Sequence, residues 1–145
     1  MKLIKATEAH LRIAAGDLCT SDLQEFHCMK SGRDPCSVMA EAYDENVRTI
    51  VIGSLVLAVG GHSAMGIWFV TTNVLRLLSH AERAQFYRLL KEHLRWIKHY
   101  SPAPKTNWVS VDNQTHIRLL TKLGATFQEG ILMSPAGFAF KQFWI

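Results

Sequence analysis

The sequence predicts one mixed α/β domain of the α+β type over residues 1–145, with a mostly antiparallel sheet of six to seven strands flanked by about four helices. Three observations lead there. The runs "VRTIVIG", "LVLAVGGH" and "GIWFVTT" are β-branched and apolar and are separated only by short breaks, the pattern of an antiparallel meander. Ser79 to Tyr100 carries Phe86, Leu89, Leu90, Leu94 and Ile97 at helical spacing, so one side of a long helix packs on that sheet. Further strand and helix patterns lie on both sides, with no repeat, low-complexity tract or linker between them.

Each element has a local reason. "KLIKA" alternates as a short strand, and Thr7 then caps a helix over "EAHLRIAAG" that Gly16 ends. Thr20 or Ser21 caps a short helix through "DLQEFHCMKSG", and Asp34-Pro35 opens another through "PCSVMAEAYDEN". After the meander, Ser79 with Glu82 three residues on is a capping-box signature, and Ser101-Pro102 stops the long helix. "TNWVSV" reads as a strand and "NQTHIRLLTKLG" as a helix closed by Gly124. "TFQEGILM" and "GFAFKQFWI" are the last two strands, turned at Ser134-Pro135.

Composition narrows the function classes. A chain of 145 residues buries roughly 70% of the surface its unfolded form exposes, so it needs neither metal nor disulfide to fold. With 48% hydrophobic and 19% charged residues it is neither disordered nor collagen-like. "TIVIGSLVLAVGG" is interrupted at Gly53-Ser54 and Gly60-Gly61, short of the apolar length of a membrane helix, and a cytoplasmic location is expected. Cys19, Cys28 and Cys36 have no C-x-x-C spacing and are expected as buried thiols, with no metal site. The net charge of +4 tilts partners toward anions. Arg88, Lys91, Arg95 and Lys98 form one basic stripe on the long helix, a solvated face or a contact for nucleic acid or an acidic partner.

The element order resembles that of GNAT acyltransferases. The local likeness is carried by Asn113 after a strand, His116 at a small-residue position, Leu119-Leu120 at the family's Leu-Tyr, and Leu123-Gly124-Ala125 at Leu-Gly-Phe. The chain also resembles the internal virion protein A family of short-tailed phages through "AVGG", "WFVT", "WV", "THIRLL" and "LGATF", all between residues 55 and 127. The second likeness implies a virion or assembly protein in the host cytoplasm or in the virion, with other virion or host proteins as partners and catalysis reduced or absent.

The first likeness implies acetyl-CoA as cofactor, its pantetheine laid along Phe69, Val70, Thr71 and Thr72, with Asn113 able to bond a pantetheine amide. It also implies a glycine-bearing loop that brings pyrophosphate onto helix N–H groups. This chain has no glycine between Thr72 and Ala81, and Glu82 puts a carboxylate in the first helical turn. Arg76 and Arg83 could compensate. Leu120 stands where the family's Tyr gives a proton to the leaving thiolate, and the candidate bases are His62, Asp112 and His116. The catalytic residues are therefore unassigned, and an acetyl-CoA-dependent N-acetyltransferase is the alternative to the assembly reading. At the end of the chain, Phe138 and Phe140 are expected in the core, with Phe143 or Trp144 presented to a partner because they point to opposite sides of a strand.

Overall fold

The computed structural model describes residues 1–145. Its elements are β1 (Lys2–Lys5), α1 (Glu8–Gly16), α2 (Thr20–Met29), α3 (Pro35–Glu41), β2 (Arg48–Ile52), β3 (Leu55–His62), β4 (Ile67–Thr71), a 3-10 turn (Asn73–Leu77), α4 (His80–Tyr100), β5 (Thr106–Ser110), α5 (Gln114–Leu123), β6 (Thr126–Phe127), β7 (Leu132–Met133) and β8 (Ala139–Trp144). There are thus five α-helices and eight strands. The strand count exceeds the expected six to seven because "TFQEGILM" splits into two short strands around Gly130, whose φ of 89° breaks the extended backbone.

The strands form two four-stranded antiparallel sheets. The first has the order β1-β2-β3-β4, and in the second β8 is central, with β5 on one edge and β6 and β7 along the other. One parallel bridge, Gly66 to Thr106, joins the sheets at the starts of β4 and β5. Beyond it these two strands separate.

Both faces of the first sheet are covered, and a bulge in β3 makes this possible. Ile50 pairs with Ala58 but Val51 pairs with Val56, leaving Leu57 as an extra residue. Val56 and Val59 therefore meet Leu11, Phe26 and Met39 of α1, α2 and α3, while Leu57 and Ala58 meet Phe86 of α4 and Leu78. A third apolar cluster lies under α5, where Leu120 packs with Leu94, Val109, Phe143 and Ile145. Gly60 is forced by the tightness of the meander, because a Cβ there would sit 2.7 Å from both Phe69 Cβ and the Trp68 carbonyl oxygen.

The caps that the sequence marks are present. The Thr7 side chain accepts from His10 N–H, Asp34 accepts from Cys36 and Ser37, and Ser79 with Glu82 forms the capping box. Asn113 accepts from His116 N–H at 3.1 Å, and Gly124 closes α5 at a φ of 92°. Four expectations change. α2 begins at Thr20 with Cys19 in the cap position and no side-chain cap bond. None of the three cysteines is buried: Cys19 and Cys28 are half-buried, and Cys36 is exposed at the open start of α3. Phe138 is 46% exposed because it belongs to the hairpin turn ahead of β8, where its N–H donates to Ser134 Oγ. Phe140 and Phe143 are both buried, one on each side of a central strand whose two faces are covered, so Phe143 is core and not a presented aromatic.

Candidate functional site: the cleft between β4 and β5

The joined end of the cleft is fixed by an unusual residue. Lys105 is 1% exposed, and its ammonium donates to the Ala64 carbonyl and Ser101 Oγ, each at 2.6 Å, with no carboxylate partner. Beside it, Thr106 N–H donates to the Met65 carbonyl at 2.8 Å and Asn107 Nδ2 to the Ile67 carbonyl at 2.8 Å. These bonds tie the β3–β4 turn and the start of β4 to β5. A buried ammonium needs such acceptors, and the two that hold it come from the β3–β4 turn and from the residue that ends α4.

At the open end the space between the strands is spanned by α2. Thr71 N–H donates to Asp22 Oδ2 at 2.8 Å, the Thr71 hydroxyl lies 2.8 Å from the same oxygen, and the Thr71 carbonyl accepts from Cys19 N–H at 2.9 Å. Leu18 forms an antiparallel bridge to Thr72, and Asn73 N–H continues the pairing to the Asp17 carbonyl at 2.9 Å. On the β5 side, Ser110 N–H and Asn113 Nδ2 donate to Glu25 Oε2 at 3.2 and 2.9 Å. One helix thus closes both strands with two carboxylates set three residues apart, so that they share a face.

Against this closure lies a largely apolar cavity of about 380 Å³, with Trp68, Phe69, Leu94 and Leu120 among its walls and Glu25, Arg33, Arg48 and His116 among its polar groups. The Phe69 ring stands edge-on to His116 at 4.7 Å. His116 Nδ1 is 4.0 Å from Glu25 Oε2, while its Nε2 is buried without a partner. Burial is the main influence on both groups. It raises Glu25 from 4.5 to about 7, against the lowering effect of the bonds from Asn113 and Ser110, and it lowers His116. His93, also lining the cavity, is lowered to about 4, first by burial and then by Arg48 and His62.

The residues named from sequence fall into two groups. Phe69, Val70, Thr71, Thr72, Asn113 and His116 converge around the cleft. Val70 is in the core, and Thr72 gives its N–H to the Leu57 carbonyl and its hydroxyl to the Val56 carbonyl. His62 lies at the end of β3 near Trp96, and Asp112 is exposed in the turn before α5. Asp22, Glu25 and Lys105 did not emerge from the sequence. The first two are buried by partners that lie far along the chain, Asp22 by Thr71 and Glu25 by Ser110 and Asn113, and local spacing carries no signal of that. Arg88, Lys91, Arg95 and Lys98 are all exposed, and none pairs with a carboxylate.

Residues 46–131 match the family model described as the probable scaffold protein Gp13 of bacteriophage T7. The chain belongs to this family. It is 33% identical over 82 residues to the probable scaffold protein gp13 of Escherichia phage T7, a match covering 56% of this chain and 58% of that protein. The chain is thus aligned with rather more than half the length of its T7 relative. Its fold is that of the GNAT acetyltransferases. A GNAT-family acetyltransferase from Bacillus anthracis superimposes with a TM-score of 0.65 at 12% identity, over 98% of this chain and 91% of that one. The Bacillus subtilis acetyltransferase in complex with CoA gives 0.57 at 11% identity, over 99% and 95%. At such identities the likeness carries the architecture alone.

In this scaffold-family member the residues do not fit a pantetheine laid along β4 in the arrangement described. The outward N–H and carbonyl of Thr71 are taken by Asp22 and Cys19. At the start of α4, Ser79 N–H and hydroxyl bind Glu82 Oε2 at 2.8 and 2.7 Å, so a carboxylate holds the position where the fold's helix N-terminus would attract phosphate. Those bonds hold the Glu82 carboxyl below its usual range. Arg83 donates to the Leu78 and Arg76 carbonyls, and Arg76 to Thr20 Oγ1, so both guanidiniums tie the 3-10 turn to its surroundings. Leu120 is 2% exposed in the core and has no proton to give.

Proposed function

We propose that this chain is a phage virion-assembly module built on a GNAT-like framework, acting through contacts with other virion or host proteins and not through acyl transfer. It would work in the host cytoplasm during assembly and travel into the virion as an internal component. The family match supports the assembly role, and the observation that carries the loss of catalysis is the closure of the β4 edge by Cys19 and Asp22. A bound cofactor would have to replace three hydrogen bonds within the chain before gaining any of its own, which cuts its net affinity.

One observation favours acetyl-CoA-dependent N-acetylation as a second reading. His116 Nε2 has no partner, borders the cavity, and has Glu25 behind its other nitrogen. That is the arrangement a general base needs to take a proton from an attacking amine. The basic stripe leaves contact with nucleic acid as a third, weaker reading, with no recognition motif to accompany it.

Two measurements separate the first two readings. Ligand at a hundred times its dissociation constant stabilises a fold by about 2.7 kcal/mol, so a melting temperature unmoved by 1 mM acetyl-CoA agrees with the assembly reading and a rise of several degrees rejects it. In the phage that encodes the chain, a folded His116→Ala variant should support normal particle assembly. Loss of particles by that variant, together with an acetyl-CoA response, would establish the enzyme.

A further inference from the structure

The element that closes the cleft is held to both strands through two acids. α2 has no side-chain cap at its N-terminus, and its two inward acids are desolvated together: Asp22 is 8% exposed and the Glu25 side chain 18%. Like charges one helical turn apart in a poorly solvated site repel each other, and the cost falls when one of them holds a proton.

Two N–H donors and one guanidinium favour the charged form of Glu25, and burial outweighs them. From α2 itself comes Asp22, which opposes ionisation. From the segment after α2 comes Arg33, which favours ionisation through space but whose guanidinium lies 4.9 Å over the Phe26 ring and pairs with no carboxylate. From α5 comes His116, at 4.0 Å, whose charged form burial disfavours, and from β5 and the turn before α5 come the uncharged donors of Ser110 and Asn113. Cys28 and Asp112 border the polar pocket on the outer side of Glu25.

We propose that α2 is a proton-dependent cover over the β4–β5 cleft: with a proton held at Glu25 it seats on Thr71, Ser110 and Asn113, and loss of that proton to solvent loosens it and opens the cavity behind it. The proposal stands whether or not the chain acts in assembly, because it concerns only how the cleft is closed. Proton linkage gives the direction. Glu25 holds its proton up to about pH 7 in the closed form and up to 4.5 when exposed, so rising pH favours the open form across that interval. His116 works the other way, since burial lowers it and acid therefore favours opening. The two partly cancel, and the effect of Glu25 is read as a ratio between the chain and its Glu25→Gln variant, in which the same bonds can form without the charge.

Hydrogen exchange followed by mass spectrometry, corrected for intrinsic exchange rates, measures the opening of α2 separately from that of β3. The wild-type to Glu25→Gln ratio of α2 opening constants should rise about 70-fold between pH 5 and pH 8, while α2 exchanges faster than β3 in the wild type. A flat ratio, or α2 amides that exchange only together with those of β3, overturns the proposal. Thr71→Cys provides a second test, because the Thr71 hydroxyl is 3.1 Å from Cys19 Sγ and a disulfide there would pin the cover. Oxidation should slow α2 exchange to the level of β3 and remove its pH dependence, with reduction restoring both. Unchanged α2 exchange in the oxidised protein rejects the cover.

Discussion

Replacing Glu25 by Gln tests the energetics of the cleft through global stability. The carboxyl moves from 4.5 in the unfolded chain to about 7 in the fold, and at ~1.4 kcal/mol per pKa unit the full effect is about 3 kcal/mol, of which about 2.5 kcal/mol falls between pH 5 and pH 8. The folded chain holds its proton more tightly than the unfolded chain. The contribution of Glu25 is therefore fully present below pH 4.5 and is lost as pH rises through 7. Gln keeps an acceptor for Ser110 N–H and Asn113 Nδ2 and does not titrate. Urea denaturation of both proteins at pH 5, 6, 7 and 8 should show Glu25→Gln gaining on the wild type steadily, by about 2.5 kcal/mol over the series. The difference between the two proteins is the informative quantity, because His93 and His116, both lowered, lose stability as pH falls below 6.5 and mask the effect in either protein alone. A difference constant within 0.5 kcal/mol (~20% of the expected change) would refute the claim that this carboxylate is buried at a cost.

Other substitutions probe the framework. Lys105→Ala removes the ammonium that holds the Ala64 carbonyl and Ser101 together, and calorimetry should show a loss of about 1–3 kcal/mol, or several degrees in melting temperature. Gly60→Ala places a methyl 2.7 Å from Phe69 and the Trp68 carbonyl and should cost about 1–3 kcal/mol by urea denaturation, whereas Gly16→Ala, with nothing within 4 Å of the added carbon, should be close to neutral. His93→Phe keeps the apolar wall of the cavity and removes a group that must stay neutral, so its stability relative to wild type should rise as pH is lowered from 7 toward 4.

Much of the architecture was legible because local chemistry and tertiary packing agree. Ser79 with Glu82, Asp34 with Pro35, and Asn113 with Gly124 mark helix ends that the fold uses unchanged. The β3 bulge was hidden, since "LVLAVGG" is apolar throughout and periodicity cannot reveal an extra residue in a strand buried on both faces. The cleft was half legible. "WFVT" and Asn113 pointed to its two walls, but what fills the open end depends on long-range partners: Asp22 reaches Thr71 across 49 residues and Glu25 reaches Asn113 across 88. Nothing in "SDLQEF" distinguishes acids that face water from acids that bind strand N–H groups. Lys105, between prolines and a strand, looked like an ordinary surface lysine for the same reason, its acceptors being supplied by the distant β3–β4 turn and the end of α4.

The central claim is that the chain has kept the GNAT-like framework while its own α2 occupies the edge that a pantetheine would use. Backbone amide NMR reads that edge residue by residue. Addition of CoA to the labelled protein at pH 6.5 should leave the amide signals of Thr71 and Ser110 unmoved, with both strongly protected from solvent exchange. Saturable shifts of those two signals, accompanied by shifts in Cys19 and Asp22 as α2 is displaced, would contradict the account.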